Sequence, residues 1–131
     1  MKKNKGVLTL DMEFEFLRKY LGDRKGAYED FPFGPTVIVF KVMGKMFALL
    51  PIDESPQRVN LKCDPELALH LRAAYRSVQP GYHMNKRHWN SVILDGSVPD
   101  HELKAMIDDS YSLVVKGLKK TDRQRLENMN D

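Results

Sequence analysis

From Leu67 to Leu94 the chain carries no aspartate or glutamate, yet it holds Arg72, Arg76, Lys86 and Arg87 together with His70, His83 and His88. Those permanent positive charges exceed the formal +3 of the whole 131-residue chain. Guanidinium and ammonium groups neutralise phosphates, and the interleaved Tyr75, Tyr82 and Trp89 offer flat faces for stacking bases. The combination suits DNA or another polyanion. Lys41 and Lys45 form a smaller basic group upstream, and Asn85 sets a polar amide beside Lys86. A plainer reading of the same residues puts Tyr75 and Trp89 in the core and Arg72 and Arg76, four apart, on the solvated face of a helix.

Other chemistries find less support. His83 and His88 fit neither the i, i+4 pair of a helical zinc site nor a cysteine-assisted pattern, so no metal is expected. Cys63 is the single cysteine, which leaves no internal disulfide and reads as a small core residue. Glycine-rich phosphate loops are absent. Asp108-Asp109 reads as the solvated face of the last helix, because adjacent helical side chains diverge, and Ser110-Tyr111 has no base at motif spacing. The residue types therefore predict neither catalysis nor a cofactor.

Hydrophobic residues make up 42% and charged residues 30% of the chain, an ordinary globular composition at a length typical of one domain. No apolar run approaches the roughly 18 residues a membrane span needs, and Val7-Leu8 is too short for a secretion signal, so a cytoplasmic location without membrane contact is expected. A pI near 9.0 permits an acidic partner. A monomer is slightly favoured.

The elements that must position these residues follow from pattern. Thr9 caps a first helix with Asp11 and Glu13 in its first turn and Leu10, Phe14, Leu17 and Leu21 at helical spacing, up to Gly22. Thr36 to Val42 and Met46 to Leu50 are strands joined by a tight turn at Gly44-Lys45. Arg58 to Cys63 alternates as a half-buried strand with Val59, Leu61 and Cys63 inward. Asp64-Pro65-Glu66 opens a second helix, with Leu67, Leu71 and Ala74 facing inward beside Ala68 and Tyr75. Trp89 to Leu94 is a strand whose antiparallel partner lies around Ser77 to Met84. Pro99-Asp100 opens the last helix, whose apolar stripe runs through Leu103, Met106, Ile107, Tyr111, Val114 and Leu118. The expected fold is α+β and two-layered: an antiparallel sheet of about five strands packed on one face by three helices, in the order α-β-β-β-α-β-β-α. Residues 1–8 read as a mobile basic N-terminus, 9–119 as the domain and 120–131 as a polar C-terminal tail.

Tyr82-His83-Met84-Asn85-Lys86-Arg87-His88-Trp89 and Val92-Ile93-Leu94-Asp95-Gly96 resemble the signature segment of the MmcQ/YjbR family. The resemblance continues through Phe31-Pro32-Phe33-Gly34, Leu61-Lys62-Cys63-Asp64-Pro65-Glu66 and Asp109-Ser110-Tyr111-Ser112-Leu113-Val114, covering about residues 10–119. It implies a CyaY-like or secretion-chaperone-like domain in which two β-hairpins form a double wing proposed to bind DNA. No catalytic residues are defined for the family. Lys41 and Lys45 then belong to one wing, and His83, Asn85, Lys86, Arg87 and His88 lie at or near the tip of the other, with Arg72 and Arg76 on the adjoining helix. Contacts of this kind read the phosphate backbone rather than the bases. The alternative is a protein-interaction or chaperone-like module that binds a partner protein through its sheet face or edge, with Phe31, Phe33, Met43 and Met46 as candidate apolar contacts.

Overall fold

The computed structural model describes residues 14–130. The cap at Thr9, Leu10, the first-turn acids Asp11 and Glu13, and the basic stretch 1–8 lie outside the described residues. Helix α1 covers 14–22 among them, with Leu17 and Leu21 buried and Gly22 in its last position. Then come β1 (Ala27–Asp30), β2 (Val37–Val42), β3 (Lys45–Pro51), β4 (Arg58–Lys62), α2 (Pro65–Ala74), β5 (Val78–Pro80), β6 (Trp89–Ile93), α3 (Asp100–Lys116) and α4 (Lys120–Glu127). The six strands lie side by side as β1-β2-β3-β4-β6-β5, and every neighbouring pair is antiparallel.

The α+β fold and its order of elements follow the sequence pattern, with two additions. One is β1, an edge strand of sequence AYED. Glu and Asp are weak strand formers, so its extended shape comes from pairing with β2, Ala27 opposite Val42 and Asp30 opposite Val39. The other is α4, which stands where the sequence reads as a tail. Its composition is almost wholly polar, but Leu126 is buried and joins the main core, anchoring the helix by one side chain. The β2–β3 turn also shifts by one residue: Met43 (φ 48°) and Gly44 (φ 82°) are its central pair. Two successive positive φ values are the mark of the tight turn whose twist matches a hairpin. Lys45 is accordingly the first residue of β3, opposite Val42.

Alternation divides the sheet into two faces. Ile38, Phe40, Val42, Leu50, Val59, Leu61 and Val92 face the helices and form the main core with Leu17, Leu21, Met106, Ile107 and Val114. The register slips between Phe40 and Lys41, leaving Phe47 as an extra residue that also joins this core and meets Tyr111 edge-on at 5.3 Å between ring centres. Ser110, fully buried in α3, accepts from Lys62 N (2.9 Å) and donates to Phe47 O (2.5 Å), so it fastens α3 across β3 and β4. In α2, Asp64 accepts from Glu66 N and Leu67 N as predicted. The inward stripe differs from the pattern reading: Ala68, Leu71 and Tyr75 pack inward, while Leu67 and Ala74 are exposed. On the opposite, helix-free face a second cluster forms from Val39, Leu49 and Trp89 with Val37, Met46 and Met84.

Register also fixes which connections share an end. With Val42 opposite Lys45 and Lys62 opposite Trp89, the β2–β3 turn and the loop 81–88 both project from one end of the sheet, the hairpin end. The start of α2 lies there too, and α4 reaches it through Leu126, which approaches Gly26 and Val42. The turns 31–36, 52–57, 75–77 and 94–99 lie at the other end.

Candidate nucleic-acid interface

The loop 81–88 is built from its own backbone. Gly81 N donates to Trp89 O at 2.9 Å and Tyr82 N to Ser91 Oγ at 2.8 Å, which folds residues 82–84 over the helix-free face. A Cβ on Gly81 would lie 2.8 Å from that of Trp89, so only glycine permits this approach. His88 N (3.2 Å) and Trp89 N (3.0 Å) both donate to Asn85 O, so residues 85–89 form one helical turn rather than a simple hairpin tip. Asn85 Oδ1 closes the turn by accepting from Arg87 N at 2.9 Å. Lys86 lays its ammonium on Gly81 O (2.9 Å) and stays exposed, as does Arg87.

The proposed contacts separate into three groups. Lys45, Asn85, Lys86 and Arg87 are exposed at the hairpin end, with the ring of His83 (φ 59°) tilted against that of Tyr82, 3.9 Å between centres, and His88 half-buried nearby. Arg72 and Lys41 have other work. Arg72 donates from Nε to Asn90 Oδ1 at 2.7 Å and from its guanidinium to Lys86 O, which makes it the brace between α2 and the loop. Lys41 meets Asp30 at 2.8 Å. That hydrogen bond holds the Asp30 carboxyl below its ordinary range and raises the Lys41 ammonium. Arg76 is exposed but lies in the 75–77 connection, at the opposite end.

Cations that sequence reading missed take their place. Lys116, Lys119 and Lys120 are exposed around the start of α4, and no carboxylate pairs with them among the described residues. The run Lys116-Gly117-Leu118-Lys119-Lys120 is visible in the sequence, but only the docking of Leu126 reveals that it belongs to the hairpin end. The opposite end collects acids: Asp53, Glu54, Asp95, Asp100 and Glu102, against Arg58, Arg76 and Lys104. Asp23, Asp64, Glu66, Asp122 and Glu127 temper the positive end without matching its cations in number. Charge is therefore segregated along the strand direction, which a net charge of +3 conceals.

A second feature occupies the helix-free face. Phe33, Val37, Leu49, Pro51, Glu54, Arg58, Asn60, Tyr82, His83 and Met84 line a cavity of about 270 Å³. Asn60, read from alternation as an outward residue of β4, is only 5% exposed because the 82–84 segment covers it. Arg58 pairs with Glu54 and lies over the Tyr82 ring, 4.4 Å from its centre. One further correction concerns an acid, whereas Cys63 is buried as its pattern predicts. Asp108 does not sit on a bare solvated face, for it accepts from Tyr20 Oη (3.0 Å) and Arg24 (2.9 Å). Burial pushes the Cys63 thiol up to about 11, so it is protonated at neutral pH. Among the described residues no three His, Cys, Asp or Glu side chains converge as metal ligands, and no helix is long and apolar enough to cross a membrane.

The comparisons with known proteins agree on one grouping. A family model described as YjbR matches residues 23–113. The uncharacterized protein YbdF of Escherichia coli O157:H7 is 44% identical over 95 residues, spanning 72% of this chain and 78% of that protein. The uncharacterized protein YjbR of Escherichia coli K12 is 35% identical over 115 residues, spanning 88% of this chain and 98% of that protein. Among solved structures, the Deinococcus radiodurans protein DR2400, of domain family DUF419, superimposes with a TM-score of 0.78 at 43% identity over 85% of each chain. A Pseudomonas syringae protein does so with a TM-score of 0.66 at 30% identity, over 76% of this chain and 96% of that one. With the family model spanning both hairpins and most of α3, the chain belongs to the YjbR family.

Proposed function

We propose that this protein binds DNA or a related polyanion through its hairpin end, contacting the phosphate backbone rather than reading sequence. The observation that carries the reading is the segregation of charge: exposed cations from two hairpins and from the α3–α4 junction share one end of the sheet, while the acidic turns gather at the other. Lys45, Lys86 and Arg87 are the first contacts, joined by Lys116, Lys119 and Lys120. Asn85, His83 and His88 add polar contacts. Arg72 acts by holding the loop, and Arg76 and Lys41 take little part.

Binding of this kind releases counterions, so affinity falls steeply with salt, by roughly one power of the salt concentration for each phosphate neutralised. The test is a titration of duplex DNA across salt concentrations with Lys86→Glu/Arg87→Glu and Lys119→Glu/Lys120→Glu variants. Each variant is expected to weaken binding at least tenfold and to flatten the salt dependence. Arg76→Glu at the far end should change affinity less than twofold. Equal losses from both ends, or an affinity indifferent to salt, would remove the reading. A complex with a protein that survives salt and nuclease would favour the interaction-module alternative, to which the exposed Phe33 and Tyr82 on the helix-free face lend themselves.

A further inference from the structure

Resting on the polyanion reading, we propose that the cavity on the helix-free face receives a single unpaired nucleobase. Its floor is a hydrogen-bond relay with a defined direction. Tyr82 N donates to Ser91 Oγ at 2.8 Å, and the Ser91 hydroxyl passes its own hydrogen to Asn60 Oδ1 at 2.6 Å. The oxygen of the Asn60 amide is therefore taken. Its Nδ2 has no hydrogen-bond partner among the described residues, although the residue is only 5% exposed and lines the cavity. Facing the cavity, that donor can meet an acceptor brought into it.

The walls restrict what brings that acceptor. Phe33 and Tyr82 are exposed by 59% and 49% and line the same cavity, offering aromatic surface to a flat ring. Arg58 is already balanced by Glu54, so the cavity gives no net charge to a phosphate or carboxylate and sets a carboxylate against either. A purely aliphatic group would leave Asn60 Nδ2 unanswered. A planar heterocycle carrying ring-nitrogen or carbonyl acceptors on its edge satisfies every wall, and a cavity of about 270 Å³ accommodates one such ring system. A base paired within a duplex presents neither its face nor its pairing edge to such a hollow.

The loop supplies the connection to the basic end. Tyr82, His83 and Met84 wall the cavity, and Lys86 and Arg87 follow within the same loop, exposed at the hairpin end. A strand whose phosphates lie against Lys86 and Arg87 can turn one base inward over Asn60. Contact with Phe33 and with the part of Tyr82 that Arg58 leaves exposed, together with a hydrogen bond from Asn60, would then add a preference for single strands to an otherwise sequence-blind electrostatic grip.

The experiment compares a mixed-sequence single-stranded oligonucleotide, a duplex of the same sequence and free nucleosides. Tyr82→Ala and, separately, Phe33→Ala are expected to weaken single-strand binding about tenfold, with duplex affinity unchanged within twofold and the melting temperature preserved. Lys86→Glu/Arg87→Glu should weaken both strands alike. In NMR titrations nucleosides should move the Asn60 side-chain amide resonances, a response that Tyr82→Ala weakens, and the shifts of the Tyr82 and Met84 backbone amides should shrink in Asn60→Asp. Oligonucleotide binding that depends on Tyr82 identifies the source as a base within a strand. A nucleoside response without any oligonucleotide affinity identifies a free nucleoside, keeps the cavity assignment and defeats only the polyanion reading. The assignment is overturned if both aromatic variants, still folded, bind the single strand as before, or if N-acetyltyrosinamide moves the Asn60 amide and no nucleoside does.

Discussion

Arg72 Nε lies 2.7 Å from Asn90 Oδ1, so a cation that looks like a ligand contact in the sequence holds β6 and its loop against α2. Asn90 is 2% exposed and its Nδ2 has no partner among the described residues, which leaves the amide dependent on this arginine. Arg72→Ala removes a charge-assisted hydrogen bond and strands a buried acceptor, a loss of about 2–3 kcal/mol. Arg76→Ala, exposed at the other end, should stay within about 0.5 kcal/mol. Urea denaturation of the two variants checks the difference, and equal stabilities would show that the brace carries nothing.

Leu126 should matter more than its polar surroundings suggest. It is 5% exposed and is the only buried side chain of α4. Leu126→Ala is expected to cost about 2–3 kcal/mol, the low part of the range for buried leucines because the site lies at the rim of the core and can relax. Amide exchange of residues 120–127 should quicken in the variant. Undiminished protection there would mean that α4 is held by something else.

Gly44 isolates a backbone effect. Its φ is 82°, and a Cβ added there would meet nothing within 4 Å, so Gly44→Ala clashes with no neighbour and is opposed only by the left-handed conformation. The expected loss is about 1–2 kcal/mol, with Gly44→Asn milder because asparagine tolerates that region. Thermal melts of the pair establish the order, and an alanine variant as stable as the parent would contradict the turn geometry.

Acid should loosen the β1 edge before the rest. Arg18 donates twice to Glu29, at 2.8 Å each, and this lowers the Glu29 carboxyl below its ordinary range; the hydrogen bond from Lys41 does the same for Asp30. A depressed carboxylate contributes stability above its unfolded pKa and loses it as pH falls through the folded one, so the contribution fades below about pH 4. Lys41, raised by the same pair, contributes below its unfolded pKa and loses that contribution as pH rises through the folded value. Protection of the Ala27 to Asp30 amides, relative to their intrinsic exchange rates, should therefore fall on acidification in the parent and much less in Glu29→Gln. An identical pH profile in the two proteins would dismiss the pairing as a source of edge stability.

The elements most legible in the sequence are those whose pattern and boundary chemistry agree. Asp64-Pro65 at the head of α2, the β-branched run of β2, and the apolar stripe of α3 each state their structure locally. What escaped prediction depends on contacts between distant segments. β1 is extended because β2 offers it a partner, α4 is docked by one leucine, and Asn60 is buried because a loop more than twenty residues onward folds over it. The candidate site divides in the same way. Exposure of Lys45, Lys86 and Arg87 follows from their place in hairpin connections, whereas the inward turn of Arg72 and the pairing of Lys41 with Asp30 arise only once the strands are laid side by side.

The margins of the sheet bear on how copies of the molecule meet one another. β5 is three residues long and ends in Pro80, which has no amide hydrogen to donate, and β1 presents Glu29 and Asp30 along a four-residue stretch. A neighbour aligning there would find few rungs on either flank, and on β1 side chains already committed to Arg18 and Lys41. Crowding should accordingly produce discrete particles rather than ribbons of stacked sheets.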